Sequence, residues 1–146
     1  MKAIFLTAAA LLSTVALTAP IPVKAENTTP LRRLLETREC LGCDLTGVNL
    51  KGAHLIGVDL RRANLQGANL EGANLEGADL TGANLKSANL TETFASGTTF
   101  ENANLTNANL SDANLHNAQV DGAVMIGTNL DGADGFDINL GIGGEE

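Results

Sequence analysis

Every fifth residue from Leu45 to Leu140 falls in one phase, hydrophobic at all but Gly135, and 15 of those 20 positions are leucine. The unit reads Ala-Asn/Asp-Leu-x-Gly, as in Ala68-Asn69-Leu70-Glu71-Gly72 and Ala78-Asp79-Leu80-Thr81-Gly82. A period of five fits neither regular structure. In an α-helix five residues rotate about 500°, which smears the leucines around the axis. In a continuous strand successive leucines fall on opposite faces. A chain that turns a corner once per pentad satisfies the pattern. Each leucine then centres a short strand, the residue two before it (alanine in 13 of the 20 units) shares its inner side, and the Asn or Asp between them points outward. The two residues after the leucine make the bend. The second is often glycine, as at Gly47, Gly52, Gly67 and Gly72, which accepts the positive φ that a tight turn demands. At four later corners Asn102, Asn107, Asp112 and Asn117 replace it, and these residue types visit left-handed geometry more readily than most.

Over residues 43–142 the chain resembles the pentapeptide-repeat proteins, in particular exported cyanobacterial members with an N-terminal capping helix. The resemblance implies an all-β solenoid, a right-handed quadrilateral β-helix with four pentads per coil. Five coils at a strand spacing of about 4.8 Å stand roughly 24 Å tall. Residue n then lies below residue n+20, so Asn49, Asn69, Asn89, Asn109 and Asn129 form one column, with amides placed to bond between coils. Leucine and alanine fill the interior, which calls for no metal or cofactor.

The flanks break the period. Lys2, the apolar stretch from Ile4 to Thr18 and the small-x-small run Val23-Lys24-Ala25 read as a signal peptide over residues 1–25. Pro20 and Pro22 interrupt the apolar run before it reaches membrane-spanning length. Residues 26–42 are expected to hold a short helix, with Thr29 as cap, Pro30 in the first turn, Leu31, Leu34 and Leu35 as an apolar stripe over the open end of the stack, and Gly42 as terminator. Residues 143–146 are a tail. The expected location is exported, in a periplasm or thylakoid lumen, with no membrane association after cleavage.

The formal net charge is −8, and removing the leader leaves 7 basic against 17 acidic residues. Such a surface repels nucleic acid and anionic membranes. Cys40 and Cys43 are the one pair that invites chemistry. Cys43 occupies the inward alanine position of the first pentad, and a disulfide to Cys40 would tie the helix to the stack; reduced regulatory thiols and a metal site are the alternatives. The resemblance implies the disulfide, since similar lumenal members carry such a pair. Zinc would need further ligands, and His54 and His116 lie in different coils, about 14 Å apart by stack height.

Projected onto four sides, His54, Ile56, Phe94, His116 and Phe136 fall on the third and form the candidate interaction surface for an unidentified protein partner. Arg61 and Arg62 fall on the fourth side, where nearby acids can pair with them. The chain is expected to be monomeric or weakly dimeric end to end. No catalytic constellation is present: the glycines are corner residues rather than a phosphate-binding loop, and no serine sits with a His/Asp set. The expected function is a non-enzymatic scaffold or adaptor. The alternative is a DNA mimic directed at gyrase, which the resemblance suggests; the leader, the five coils and the aromatic-poor C-terminus oppose it.

Overall fold

The computed structural model describes residues 29–135. The readings placed on the leader, on Phe136 and on the tail lie outside the described residues.

Parallel β-bridges join residues 20 apart without a break, from Glu39–Asp59 through Asn64–Asn84 to Asn114–Asp134. A corner occurs every five residues, so each coil has four sides. Sides one to four are centred on Leu45, Leu50, Leu55 and Leu60 and on the residues stacked 20, 40 and 60 positions later. Coil one is residues 43–62, coil two 63–82, coil three 83–102 and coil four 103–122; the described part of coil five starts at Ala123.

The hydrogen bonds of one pentad show why its five residue types are chosen. The Ala68 N–H closes the preceding turn on Leu65 O (3.0 Å), the Asn69 N–H reaches back a coil to Val48 O (2.9 Å), and the Leu70 and Gly72 N–H groups reach forward to Asn89 O (2.7 Å) and Thr91 O (2.9 Å). The remaining donor, Glu71 N–H, is accepted by the Asn69 side-chain Oδ1 at 3.1 Å. Every backbone donor of the unit is satisfied, as close-packed backbone requires. The Asn/Asp position is therefore chiefly a local acceptor for the residue two ahead, repeated at Asn49, Asn89, Asn109 and Asn129. The expected asparagine column forms, and two of its amides bond to the coil before, besides this local role. In that column, Asn89 donates directly to Asn69 (3.4 Å), whereas Asn109 donates to the Thr91 hydroxyl (2.9 Å). Either carboxylate or amide oxygen serves as the local acceptor, which is why Asp and Asn interchange.

The corner residue has positive φ throughout, at Gly67 (64°) and Gly72 (61°) but also at Arg62 (57°), Ser87 (57°) and Glu92 (56°). The last three have no side chain that eases left-handed geometry; the stacked backbone bonds on both sides impose it. Left-handed φ costs an ordinary residue about 1–2 kcal/mol, partly offset because glycine loses more entropy on folding. Ser87→Gly and Glu92→Gly are accordingly expected to stabilise the protein by about 0.5–1 kcal/mol each. Urea midpoints at unchanged slope measure this, and a fall in either midpoint contradicts the strain argument.

The core is a single column. Leu60 to Leu90 and Ala63 to Ala88 at the repeat positions are at most 1% exposed. Val120, Met125 and Leu130 in coils four and five are only partly buried. Thr93 and Thr98 take alanine positions; each donates its hydroxyl to a carbonyl of the coil before, Leu70 O at 3.0 Å and Leu75 O at 2.7 Å, so the buried polar atoms are paired.

Helix α1 spans Pro30–Thr37 and buries Leu34, with Pro30 in its first turn. Three expectations about it change. Thr29 occupies the N-cap position without a side-chain cap bond, and the helix ends at Arg38, whose left-handed φ of 60° lets its N–H return to Leu34 O. Gly42 is instead a corner of the stack, with φ of 65°. Leu35 remains 56% exposed, because eight residues make just over two turns and only the face carrying Leu34 and part of Leu31 meets the core. The chain joins the coil one pentad earlier than residue 43: Glu39 bridges Asp59, and the N–H groups of Cys40 and Gly42 bond to Asp59 O and Arg61 O (both 2.8 Å).

Candidate interaction surface

Side three presents two outward columns. His54, Asn74, Phe94, Asn114 and Asp134 are bridged in one, and Ile56, Glu76, Ser96 and His116 follow the leucine positions in the other. The structure brings His54 and Phe94 into one column two coils apart, and Ile56 and His116 into the second, three coils apart. Asn74 and Glu76 of coil two separate Ile56 from Phe94. The surface is a set of discrete apolar and aromatic points, not one continuous patch. His116 Nε2 lies 3.3 Å from Asp134 Oδ2. The Ile56 carbonyl accepts from Arg38 Nη1 at 2.8 Å, which holds the start of the stack against this side.

Phe94 is the centre of interest, being 50% exposed. It replaces the Asn/Asp that would accept the Ser96 N–H, and a phenyl ring carries no acceptor. The core does not explain it. Ala95 and Phe100 are both fully buried on successive sides of coil three. A centre one size smaller beside one that is larger keeps the coil's filling close to that of two leucines. That compensation requires nothing of residue 94. The Ser96 hydroxyl turns instead to Asn114 Oδ1 at 2.9 Å.

Three further exposed apolar residues of the stack lie off side three, and the first is Leu41 beside the Cys40 centre. Val124 and Ile126 on side one of coil five are 44% and 72% exposed. Val124 again stands at the Asn/Asp position, so this departure was visible in the sequence as a further loss of the local acceptor, beside those at His54, Phe94, Thr99 and Gln119. Arg61 is not a free cation: it binds Asp59 through Nε and Nη2 at 2.9 and 2.7 Å and lies 3.8 Å from Asp79. The guanidinium hydrogen bond holds the Asp59 carboxyl below the usual carboxylate range. Arg62 serves as a corner.

Cys40 and Cys43 form a disulfide with a Cα–Cα distance of 5.2 Å. Cys40 sits at a leucine-phase centre and is fully buried, so the bond spans the first corner of the stack and not a helix-to-stack gap. Cys43 N–H closes the same corner on Cys40 O at 3.1 Å. The helix is held by contact, with Cys40 Sγ 3.4 Å from the Pro30 carbonyl oxygen. Among the described residues no three His, Cys, Asp or Glu side chains group as metal ligands, and no helix is long and apolar enough to cross a membrane.

The sequence model of pentapeptide repeats matches residues 43–82, 83–119 and 108–134, in 8 copies. The chain belongs to the pentapeptide repeat family. Among solved members, a pentapeptide repeat protein from the Arabidopsis thaliana thylakoid lumen is 39% identical with a TM-score of 0.65, over 68% of this chain and 69% of that one. A pentapeptide repeat protein of the cyanobacterium Cyanothece is 36% identical with a TM-score of 0.32, over 73% and 92% of the two chains. HetL, a pentapeptide repeat protein involved in heterocyst differentiation regulation in Nostoc, is 27% identical with a TM-score of 0.30, over 67% and 65%. No curated protein matches the chain.

Proposed function

We propose that this chain is an exported, non-enzymatic pentapeptide repeat scaffold, a right-handed β-helix capped by α1, that engages a protein partner through side three. Phe94 carries the proposal. It is a half-exposed aromatic that forgoes a backbone hydrogen bond made at most other pentads, and no packing need of the core accounts for it. Positions where a fold gives up local stability without internal compensation are where function is expected. His54, Ile56 and His116 flank it on the same side, and Phe136 extends the set in sequence. The leader, the disulfide and the thylakoid-lumen relative support residence in a periplasm or lumen.

Phe94→Asn separates stability from binding. Restoring the acceptor for Ser96 N–H and removing an exposed ring is expected to stabilise the fold by about 0.5–1 kcal/mol, read as a higher urea midpoint. The same variant, used as bait in an extract of the exporting compartment, is expected to lose a protein that the wild type retains. Loss of both stability and capture would make Phe94 a structural residue and end the proposal. The DNA-mimic reading predicts inhibition of gyrase supercoiling by the wild type; the scaffold reading predicts none.

A further inference from the structure

The residue after each centre carries an outward backbone N–H, which in most pentads the Asn or Asp two residues back accepts. On side three these residues are Ile56, Glu76, Ser96 and His116, stacked in one column. The Glu76 N–H goes to Asn74 Oδ1 at 2.9 Å and the His116 N–H to Asn114 Oδ1 at 3.2 Å. Ile56 and Ser96 follow His54 and Phe94, and neither N–H has an acceptor among the described residues. Exposed apolar side chains stand beside both donors, Ile56 itself (46%) and Phe94. The same donor is unpaired at Leu41, Glu101 and Asp121 on side four and at Ile126 on side one. Among the described residues, side three alone sets two such donors beside an exposed aromatic ring.

Spacing decides what can satisfy both. Two coils separate Ile56 from Ser96, about 9.6 Å at a strand spacing of about 4.8 Å. In an extended strand, carbonyls pointing the same way recur at about 6.8 Å and then about 13.6 Å. An α-helix uses its carbonyls internally. A polyproline II segment has three residues per turn and rises about 3.1 Å per residue, so its carbonyls at i and i+3 point one way about 9.3 Å apart. Glu76 lies midway between the two donors, exposed and without a cation among the described residues. Residues 63–135 as a whole hold Lys86 against nine acids. Complementarity calls for basic side chains on whatever lies there.

We propose that side three binds a basic polyproline II segment of its protein partner, laid along the rod axis. Two carbonyl oxygens three residues apart accept from the Ile56 and Ser96 N–H groups, and a proline ring packs on Phe94. The inference rests on the reading of side three as a binding face and names what that face recognises. It gives Phe94 two effects. The ring offers apolar surface, and its lack of an acceptor leaves the Ser96 N–H open to the partner.

Proline at residue 96 tests the donor without touching the ring. Ser96 is the second residue of the turn that the Thr98 N–H closes on Ala95 O at 3.1 Å, with Gly97 at φ of 64°, a place that proline favours. Ser96→Pro removes an N–H that the fold does not use, so its urea midpoint is expected to match or exceed that of Ser96→Ala, which lacks the same hydroxyl. Thr91→Pro is expected to fall, because Asn89 Oδ1 holds the Thr91 N–H at 3.1 Å. The probe is a synthetic peptide repeating Pro-Pro-Lys, titrated at low salt into the isotope-labelled exported protein. The Ser96 and Ile56 amide protons are expected to move downfield together while that of Glu76 stays. Affinity is expected to drop about tenfold in Ser96→Pro, as loss of one hydrogen bond implies. Unmoved Ser96 and Ile56 amides in the wild type, or equal binding by Ser96→Pro, overturns the proposal. If Phe94→Asn loses its captured protein while Ser96→Pro keeps it, side three remains a binding face and only the polyproline assignment falls. A Phe94→Asn variant that keeps it removes both. The wild-type shifts decide the matter if Ser96→Pro does not fold.

Discussion

Replacing Ala95 with leucine is expected to destabilise the protein by about 1–3 kcal/mol, although leucine is the residue the repeat favours at that phase. Phe100 is fully buried on the next side of the same coil, and the expectation is that its extra bulk uses the volume that the small, equally buried Ala95 leaves. Phe100→Leu alone leaves unfilled space and costs about 1 kcal/mol. The double variant restores two ordinary centres, so its loss should fall short of the summed single losses by about 1 kcal/mol or more. Urea unfolding of the four proteins completes the cycle. Additive losses would mean that the two side chains do not share a volume, and the phase-preserving irregularity of coil three would then need another cause.

Breaking the Cys40–Cys43 disulfide is expected to cost about 2 kcal/mol, the chain-entropy value for so short a loop. The loss should be local. Coils contact only their neighbours, so a repeat stack transmits a defect weakly along its axis. In the Cys40→Ser, Cys43→Ser variant, amide exchange is expected to quicken at Cys43 and across coil one, while Leu75, Leu85 and their neighbours keep their protection. Uniform acceleration through all coils would instead mark the first corner as the nucleus on which the whole stack depends.

The pentad phase was legible because three of its five positions carry non-exchangeable demands: a large centre, a small inner neighbour and a corner with positive φ. The side assignments of His54, Ile56, Phe94 and His116 followed from counting once the resemblance to the pentapeptide-repeat proteins supplied a four-sided coil. What escaped was decided by neighbours in space. The pentad Arg38–Gly42 was hidden because a cysteine replaces leucine at its centre, although Cys40 and Gly42 hold the phase. Arg62, Ser87 and Glu92 adopt corner geometry against their own preference because the coils above and below fix them. Leu35 matched the apolar stripe, but α1 is too short to bury both Leu34 and Leu35. The contiguity of the candidate surface was equally beyond a one-dimensional reading, since Asn74 and Glu76 interrupt it only once the coils are stacked.

The 20-residue register gives the chain a particular grammar of insertion and deletion. Adding or removing a whole coil changes the rod's height and leaves every later residue on its own side. Adding or removing one pentad keeps leucines over leucines and corners over corners, so the core is undisturbed, yet every later outward residue moves a quarter turn around the axis. A duplication of five residues between Leu80 and Leu90 would carry Phe94 from the His54 column to side four, above Asp79. Surface patterns can thus be re-dealt in discrete rotations while the interior goes on reading the same word.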